Sequence, residues 1–188
     1  MISAILQHMK EIVQDGAKVL RGKAKPVPEE LFGSAELERL TKDMTDALDK
    51  EPEGVALAAP QIGVPYRVFV VRKDRTLPTY TITSEGKPAV EQVPEINIYI
   101  NPEIIKTSRK RAYADEGCLS VRGVYGTTHR HERVTIRARR VDGTKFQRGA
   151  GGLMAQIFEH EVDHLNGTLF TDNAKRLVRV INNHGPEE

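Results

Sequence analysis

One cysteine in 188 residues, Cys118, leaves no internal partner for a disulfide, so the chain fits a reducing compartment. Charge of one sign is equally scarce. Lys and Arg number 28 against 26 Asp and Glu, and a net +2 is too small an excess to mark a nucleic-acid binder. The basic piece Arg137-Ala138-Arg139-Arg140 reads as the solvated face of a strand. Long apolar runs are missing too. No stretch approaches the roughly 18 apolar residues of a membrane span. Gln7, His8, Lys10, Glu11 and Asp15 break the opening segment where a secretion signal needs continuous apolar sequence. A cytoplasmic protein without a membrane partner is the expectation. There is no internal repeat and no low-complexity linker, and 188 residues with 39% hydrophobic content suit one domain with a real core.

What is present divides into short strands and two helices. Ser34 is a good N-cap, and Leu37, Leu40, Met44, Ala47 and Leu48 recur at helical spacing, predicting a helix over 34–49 that Pro52 and Gly54 end. Arg67-Val68-Phe69-Val70-Val71 is a β-rich run and reads as a buried strand. Asp74 to Glu95, with Pro78, Gly86, Pro88 and Pro94, reads as an exposed hairpin or long loop. Ile96 to Ile100 reads as a half-buried strand, followed by a turn at Asn101-Pro102. Val134 to Arg139 alternates, and Asp142-Gly143 turns it back into Lys145-Phe146. Gly149, Gly151 and Gly152 precede a final helix from Leu153 to about Asn166, which Gly167 caps. The fold class is α+β, with mixed or antiparallel sheets packed around the C-terminal helix.

That last helix carries His160-Glu161-Val162-Asp163-His164. In a helix, His160 and His164 lie one turn apart on one face and can share a metal ion, with Glu161 placed to act as general base on its water. The plain alternative is a pair of polar residues on a solvated face. A catalytic metal site takes three protein ligands. Phe170 stands where a third histidine six residues on would be needed, and no glutamate lies between His164 and Glu187. Asp172 and His184 are the only polar candidates downstream, so the third ligand is expected upstream, at Cys118 in Glu116-Gly117-Cys118-Leu119-Ser120. A thiolate beside two imidazoles makes a Cys-His-His set. A lone cysteine is otherwise commonly a small buried hydrophobe.

Three segments together resemble peptide deformylase: Gly54-Val55-Ala56-Leu57-Ala58-Ala59-Pro60-Gln61, Glu116-Gly117-Cys118-Leu119-Ser120, and His160-Glu161-Val162-Asp163-His164-Leu165-Asn166-Gly167. The resemblance implies one catalytic domain over 1–188 that removes the formyl group from N-terminal formylmethionine and releases formate. It implies one divalent ion on Cys118, His160 and His164, ferrous iron first, with zinc, nickel or cobalt able to substitute. Glu161 becomes general base and then general acid for a hydroxide attack on the formyl carbon, while Gln61 and the Leu119 N–H face the developing oxyanion. Gly54, Val55 and Ala56 become the edge that pairs with an extended peptide, beside Glu116 and Gly117; Val55, Leu153 and Ile157 would wall a methionine pocket. The implied partners are N-formylmethionyl nascent chains near the ribosome exit, with oligomeric state left open.

The chain departs from the resemblance at Ala56, where a second glycine is usual, at Val121-Arg122-Gly123, and at Glu159 in place of a common glutamine. The resemblance also suggests that Asp163 pairs with Arg130. The competing readings are another metallopeptidase or amidase on the same ligands, and a silent metal-binding relative.

Overall fold

The structure is a computed structural model that describes residues 11–76 and 94–180. A five-stranded antiparallel sheet runs in the order β1-β2-β3-β6-β7, with β1 Ala56–Ala58, β2 Val68–Arg72, β3 Ile96–Thr107, β6 Arg133–Arg139 and β7 Lys145–Gly151. A three-stranded sheet pairs β4 Arg111–Cys118 with β5 Val121–His131, and β5 with β8 Lys175–Arg179. Among the described residues there are three α-helices, α1 Ala35–Asp49, α2 Leu153–Leu165 and the single turn α3 Phe170–Asn173, besides short 3-10 turns. The α+β class and the central C-terminal helix are as expected.

The large sheet is covered on both faces, and β2 shows why Val68 to Val71 are apolar without a break. Val68 and Val70 pack with Leu37, Leu40, Met44 and Leu48 of α1, while Phe69 and Val71 pack with Ala155, Phe158, Val162 and Leu165 of α2. A strand with helices on both faces has no solvated side, so period-two alternation disappears. Phe69 and Tyr99 stack at 4.6 Å between ring centres, and Phe158 meets Tyr99 edge-on at 5.1 Å, which seats α2 on the sheet.

Both long helices begin and end where the sequence places them. The Ser34 hydroxyl accepts the Leu37 N–H at 3.3 Å, capping α1. Gly167 follows α2 with φ +78, and a Cβ there would approach the Arg21 carbonyl to 2.7 Å, so only glycine fits. The Ala24 N–H and Arg67 guanidinium then satisfy the Leu165 carbonyl at 2.9 and 3.2 Å.

Three expectations need correction. Asn101-Pro102 is not a turn; β3 continues through it with a register shift between Ile100 and Glu103. Asn101 takes φ +50, and its side-chain amide clasps both the N–H and the carbonyl of Val27 at 2.7 and 2.9 Å, so a bulge absorbs the proline that the ladder cannot accommodate. Gly149, Gly151 and Gly152 do precede α2, the first two inside β7 and Gly152 as the N-cap. That helix is not the last element, since α3 and β8 follow it. Finally, Arg139 is not on a purely solvated face: its guanidinium lies 3.6 Å from the centre of the Phe32 ring and bonds to Glu29 and the Gly143 carbonyl. Of the loop expected over Asp74 to Glu95, residues 77–93 lie outside the described residues, as do Met1 to Lys10 and His184. Lys73–Thr76 form one 3-10 turn.

Candidate active site and metal centre

Three elements deliver the candidate ligands. Cys118 is the last residue of β4, just before the Leu119-Ser120 turn into β5, and His160 and His164 stand one turn apart on α2. Their ligand atoms all lie within 4.8 Å of one another. Cys118 Sγ is 3.2 Å from His164 Nε2, which identifies the nitrogen facing the site. His160 is held through its other edge, with Nδ1 2.9 Å from Glu116 Oε2, leaving Nε2 for the site. One face of α2 thus carries Ala155, Phe158, Val162 and Leu165 against the sheet, while Ile157, His160, Glu161 and His164 follow one another on the next.

Behind His160 lies a buried network. Arg130 Nε and Nη2 donate to Glu116 Oε1 and Oε2 at 2.6 and 2.9 Å, and Arg130 Nη1 donates to Asp163 Oδ2 at 2.6 Å. The Thr128 hydroxyl donates to Glu116 Oε1 at 2.7 Å. Burial alone would raise Glu116, yet the hydrogen bonds from His160 and Arg130 outweigh it and hold the carboxyl at about 2. The pairing of Asp163 with Arg130 is present, but it is one arm of an interior network. Glu159 stands on the neighbouring strand contact, accepting from the His131 N–H at 2.7 Å and meeting His131 Nδ1 at 2.7 Å.

The donor chemistry fits a cation. Burial holds His164 below its usual range and so keeps it a neutral imidazole. His160 is also buried, but Cys118 and Glu116 raise it above its usual range, so this imidazole draws positive charge, either a proton or a metal ion. A thiolate with two imidazoles suits several late first-row divalent ions. Beside them burial pushes Glu161 up to about 7, close to the value a general base needs at neutral pH. Glu161 Oε2 and His164 Nδ1 are buried with no hydrogen-bond partner among the described residues.

Gln61 closes the site from the turn after β1. Its Oε1 accepts the Ala58 N–H at 2.8 Å, which fixes the flip of the amide, and its Nε2 lies 3.1 Å from Ser120 Oγ and 3.6 Å from Cys118 Sγ. The N-terminal segment stitches the two motifs together. The Val13 N–H donates to the Gln61 carbonyl at 2.9 Å, the Asp15 N–H to the Ser120 carbonyl at 2.8 Å, and the Gln14 side chain to the Leu119 carbonyl at 3.0 Å. Nothing local in the sequence signals Gln14 or Ser120, because their partners are remote along the chain.

A cavity of about 680 Å³ opens onto this centre. Its wall includes every residue expected to touch substrate: Gly54, Val55, Ala56, Glu116, Gly117, Leu153 and Ile157, together with Gln61, Leu119, Cys118, His160 and Glu161. Four of these differ in detail from expectation. Gly54 and Val55 precede β1, and Arg75 Nη1 takes the Gly54 carbonyl at 2.7 Å. The Glu116 carboxylate is taken up by Arg130, Thr128 and His160. Ala56 sits in the α2-facing core, 8% exposed, while remaining on the wall. Asp172 takes no part in the centre; it pairs with Arg21 at 2.7 Å. Tyr125 and Gln156 on the wall, and the pairing between Arg122 and Glu51, carry no signal along the chain.

A Cys-His-His cluster with a buried glutamate on the wall of a cleft is the donor pattern of a mononuclear metallohydrolase. The sequence model of the polypeptide deformylase family matches residues 9–180. A peptide deformylase of Symbiobacterium thermophilum is 39% identical over 178 residues, covering 95% of this chain and 72% of the relative. Chloroplastic peptide deformylase 1A of Solanum lycopersicum is 34% identical over 94% of this chain, which spans 64% of that longer protein. A crystal structure of a class I type b peptide deformylase from Acinetobacter baumannii with Met-Ala-Ser bound superposes with a TM-score of 0.73 at 29% identity, covering 89% of this chain and 100% of the other. The chain belongs to the polypeptide deformylase family, metal-dependent hydrolases that remove the N-terminal formyl group from newly made polypeptides.

Proposed function

We propose that this chain, working as one catalytic domain, deformylates N-formylmethionyl peptides and nascent chains close to the ribosome exit in the cytoplasm. Ferrous iron is the proposed resident ion, held by Cys118, His160 and His164. The observation that carries the reading is the convergence of those three ligand atoms within 4.8 Å on the wall that Glu161 and Gln61 share. The Met-Ala-Ser-bound relative supports a peptide that begins with methionine.

A divalent ion at this triad supplies a Lewis acid and makes a water acidic enough to react near neutral pH. The residues do the rest. The Gly54–Ala56 edge holds the peptide main chain, which recognises backbone and tolerates many side chains. Val55, Leu153 and Ile157 receive the methionine side chain. Glu161 takes the proton of the attacking water and returns it to the leaving amine as the formyl C–N bond breaks and formate departs. The Gln61 amide and the Leu119 N–H face the formyl oxygen as charge builds there, and losing one such donor raises the barrier by about 2.7–4 kcal/mol. Arg130 and Glu116 keep His160 turned toward the ion.

Formate release from formyl-Met-Ala-Ser by anaerobically prepared protein tests the reading, with metal content measured on the same sample. Glu161→Gln is expected to keep its metal and lose about 10²–10⁴ in kcat, while Cys118→Ser loses the metal itself. Fully metallated wild-type protein that releases no formate overturns the proposal.

A further inference from the structure

The pair formed by Arg122 and Glu51 has no role in the chemistry above, yet it joins two walls of the cavity. Glu51 lies in the turn between α1 and the Gly54–Ala56 edge, and Arg122 is the second residue of β5. Arg122 Nη1 and Nη2 donate to Glu51 Oε2 and Oε1 at 3.0 and 2.5 Å, a two-pronged contact. Side-chain exposure is 55% for Arg122 and 21% for Glu51, so the pair occupies the solvent side of the cavity, away from the buried His164. The turn that carries Glu51 is held firmly. Arg75 Nη1 donates to the Glu51 and Gly54 carbonyls, both at 2.7 Å, and a Cβ on Gly54 would lie 3.0 Å from the Leu119 side chain.

Charge on the wall is lopsided. Arg122 is the only Lys or Arg among the described lining residues, against Glu51, Glu53, Asp115, Glu116 and Glu161. Glu116 is balanced by Arg130, and Glu161 faces the candidate metal centre. Among the described residues the Asp115 carboxylate accepts only from the Thr127 hydroxyl, its backbone carbonyl taking the Gln156 amide, and Glu53 has no ion-pair partner. Arg122 and Glu51 mask each other, which leaves Glu53 and Asp115 to set the field at the mouth.

We propose that the mutual masking of Arg122 and Glu51 sets which charge the enzyme accepts in the residues after methionine, with wild type favouring a basic side chain over an acidic one. Removing Glu51 unmasks the cation and turns the preference toward acidic peptides. Removing Arg122 unmasks a third carboxylate and strengthens the preference for basic ones. The proposal rests on the deformylase reading of the site, and a ratio separates the two.

The test compares formyl-Met-Lys-Ser with formyl-Met-Glu-Ser by kcat/KM for wild type, Glu51→Gln and Arg122→Gln, so that any general loss of activity cancels. Glu51→Gln is expected to lower the Lys-to-Glu ratio and Arg122→Gln to raise it, each about two- to fivefold, with both shifts shrinking as salt rises. Affinity for the unformylated peptides Met-Lys-Ser and Met-Glu-Ser, measured by calorimetry, gives the same ratio without turnover. Absence of formate from every peptide fails the deformylase reading while the binding ratio still decides this proposal. Ratios that stay equal, or move in the same direction for both variants, overturn it.

Discussion

Two Arg–Glu pairs flank the same cavity, and their chemistry is nearly identical. Arg130 grips both oxygens of Glu116, and Arg122 grips both oxygens of Glu51. Their surroundings differ. The side chains of Arg130 and Glu116 are 10% and 2% exposed, those of Arg122 and Glu51 55% and 21%. The interior pair sits behind His160 and joins β4 and β5 to α2 through Asp163. Its charges have left water, so each depends on the other. The rim pair remains hydrated and can exchange partners at little cost. Burial, rather than the residue types, decides whether an Arg–Glu contact is a fixture of the site or an adjustable part of its mouth.

The comparison is broken most severely by Arg130→Met. Leaving Glu116 buried without its cation is expected to cost about 3–5 kcal/mol of stability, read by urea denaturation, and to weaken metal binding by about 10–100-fold through the loosened His160. The double variant Arg130→Met with Glu116→Leu should recover stability but not metal affinity, which separates folding from positioning. A loss below about 1 kcal/mol for Arg130→Met would make the two pairs equivalent and end the argument.

A third pair is nearly as buried as the interior one. Arg72 and Asp74 have side chains 9% and 10% exposed, and Arg72 also contacts Asp49. The hydrogen bond from Arg72, working against burial, holds Asp74 at about 2 against an ordinary 3.8. A depressed carboxyl stabilises the fold above its unfolded value, and that contribution is lost as pH falls from about 4 toward about 2. Asp74→Asn is therefore expected to cost about 1–2 kcal/mol at pH 6 and to converge with wild type near pH 2. Denaturation curves that stay parallel across this window would show that Asp74 is not the group responsible. The smallest effect is expected from Arg122→Gln, under about 1 kcal/mol on folding at moderate salt, measured alongside the same denaturation series.

Much of this was readable along the chain. The Ser34 cap and the apolar spacing from Leu37 to Leu48 gave α1 nearly to the residue, and Asp142-Gly143 placed the β6–β7 turn. The β4–β5 hairpin was not foreseen. Its burial alternates over 114–118 and 126–130, but its hydrophobicity does not, because the inner positions include Glu116, Thr128 and Arg130, which satisfy one another. Polar side chains that bury as a network look like a solvated segment in sequence. The bulge at Asn101 was hidden for a related reason, since its partner is Val27, 74 residues away.

By itself the sequence determined the ligand types and their local spacing: two histidines one helical turn apart, a glutamate between them, and a single thiol with no disulfide partner. Those follow from covalent order and helical periodicity, which act over a few residues. Only the tertiary structure decided that His160 presents Nε2 and rests its Nδ1 on Glu116, that Gln61 is fixed by Ala58 and Ser120, and that Arg122 meets Glu51 at the mouth. The His160, Ser120 and Arg122 contacts span 44, 59 and 71 residues. Contacts at that range depend on how sheets and helices pack, and packing also determines which charges lose their water.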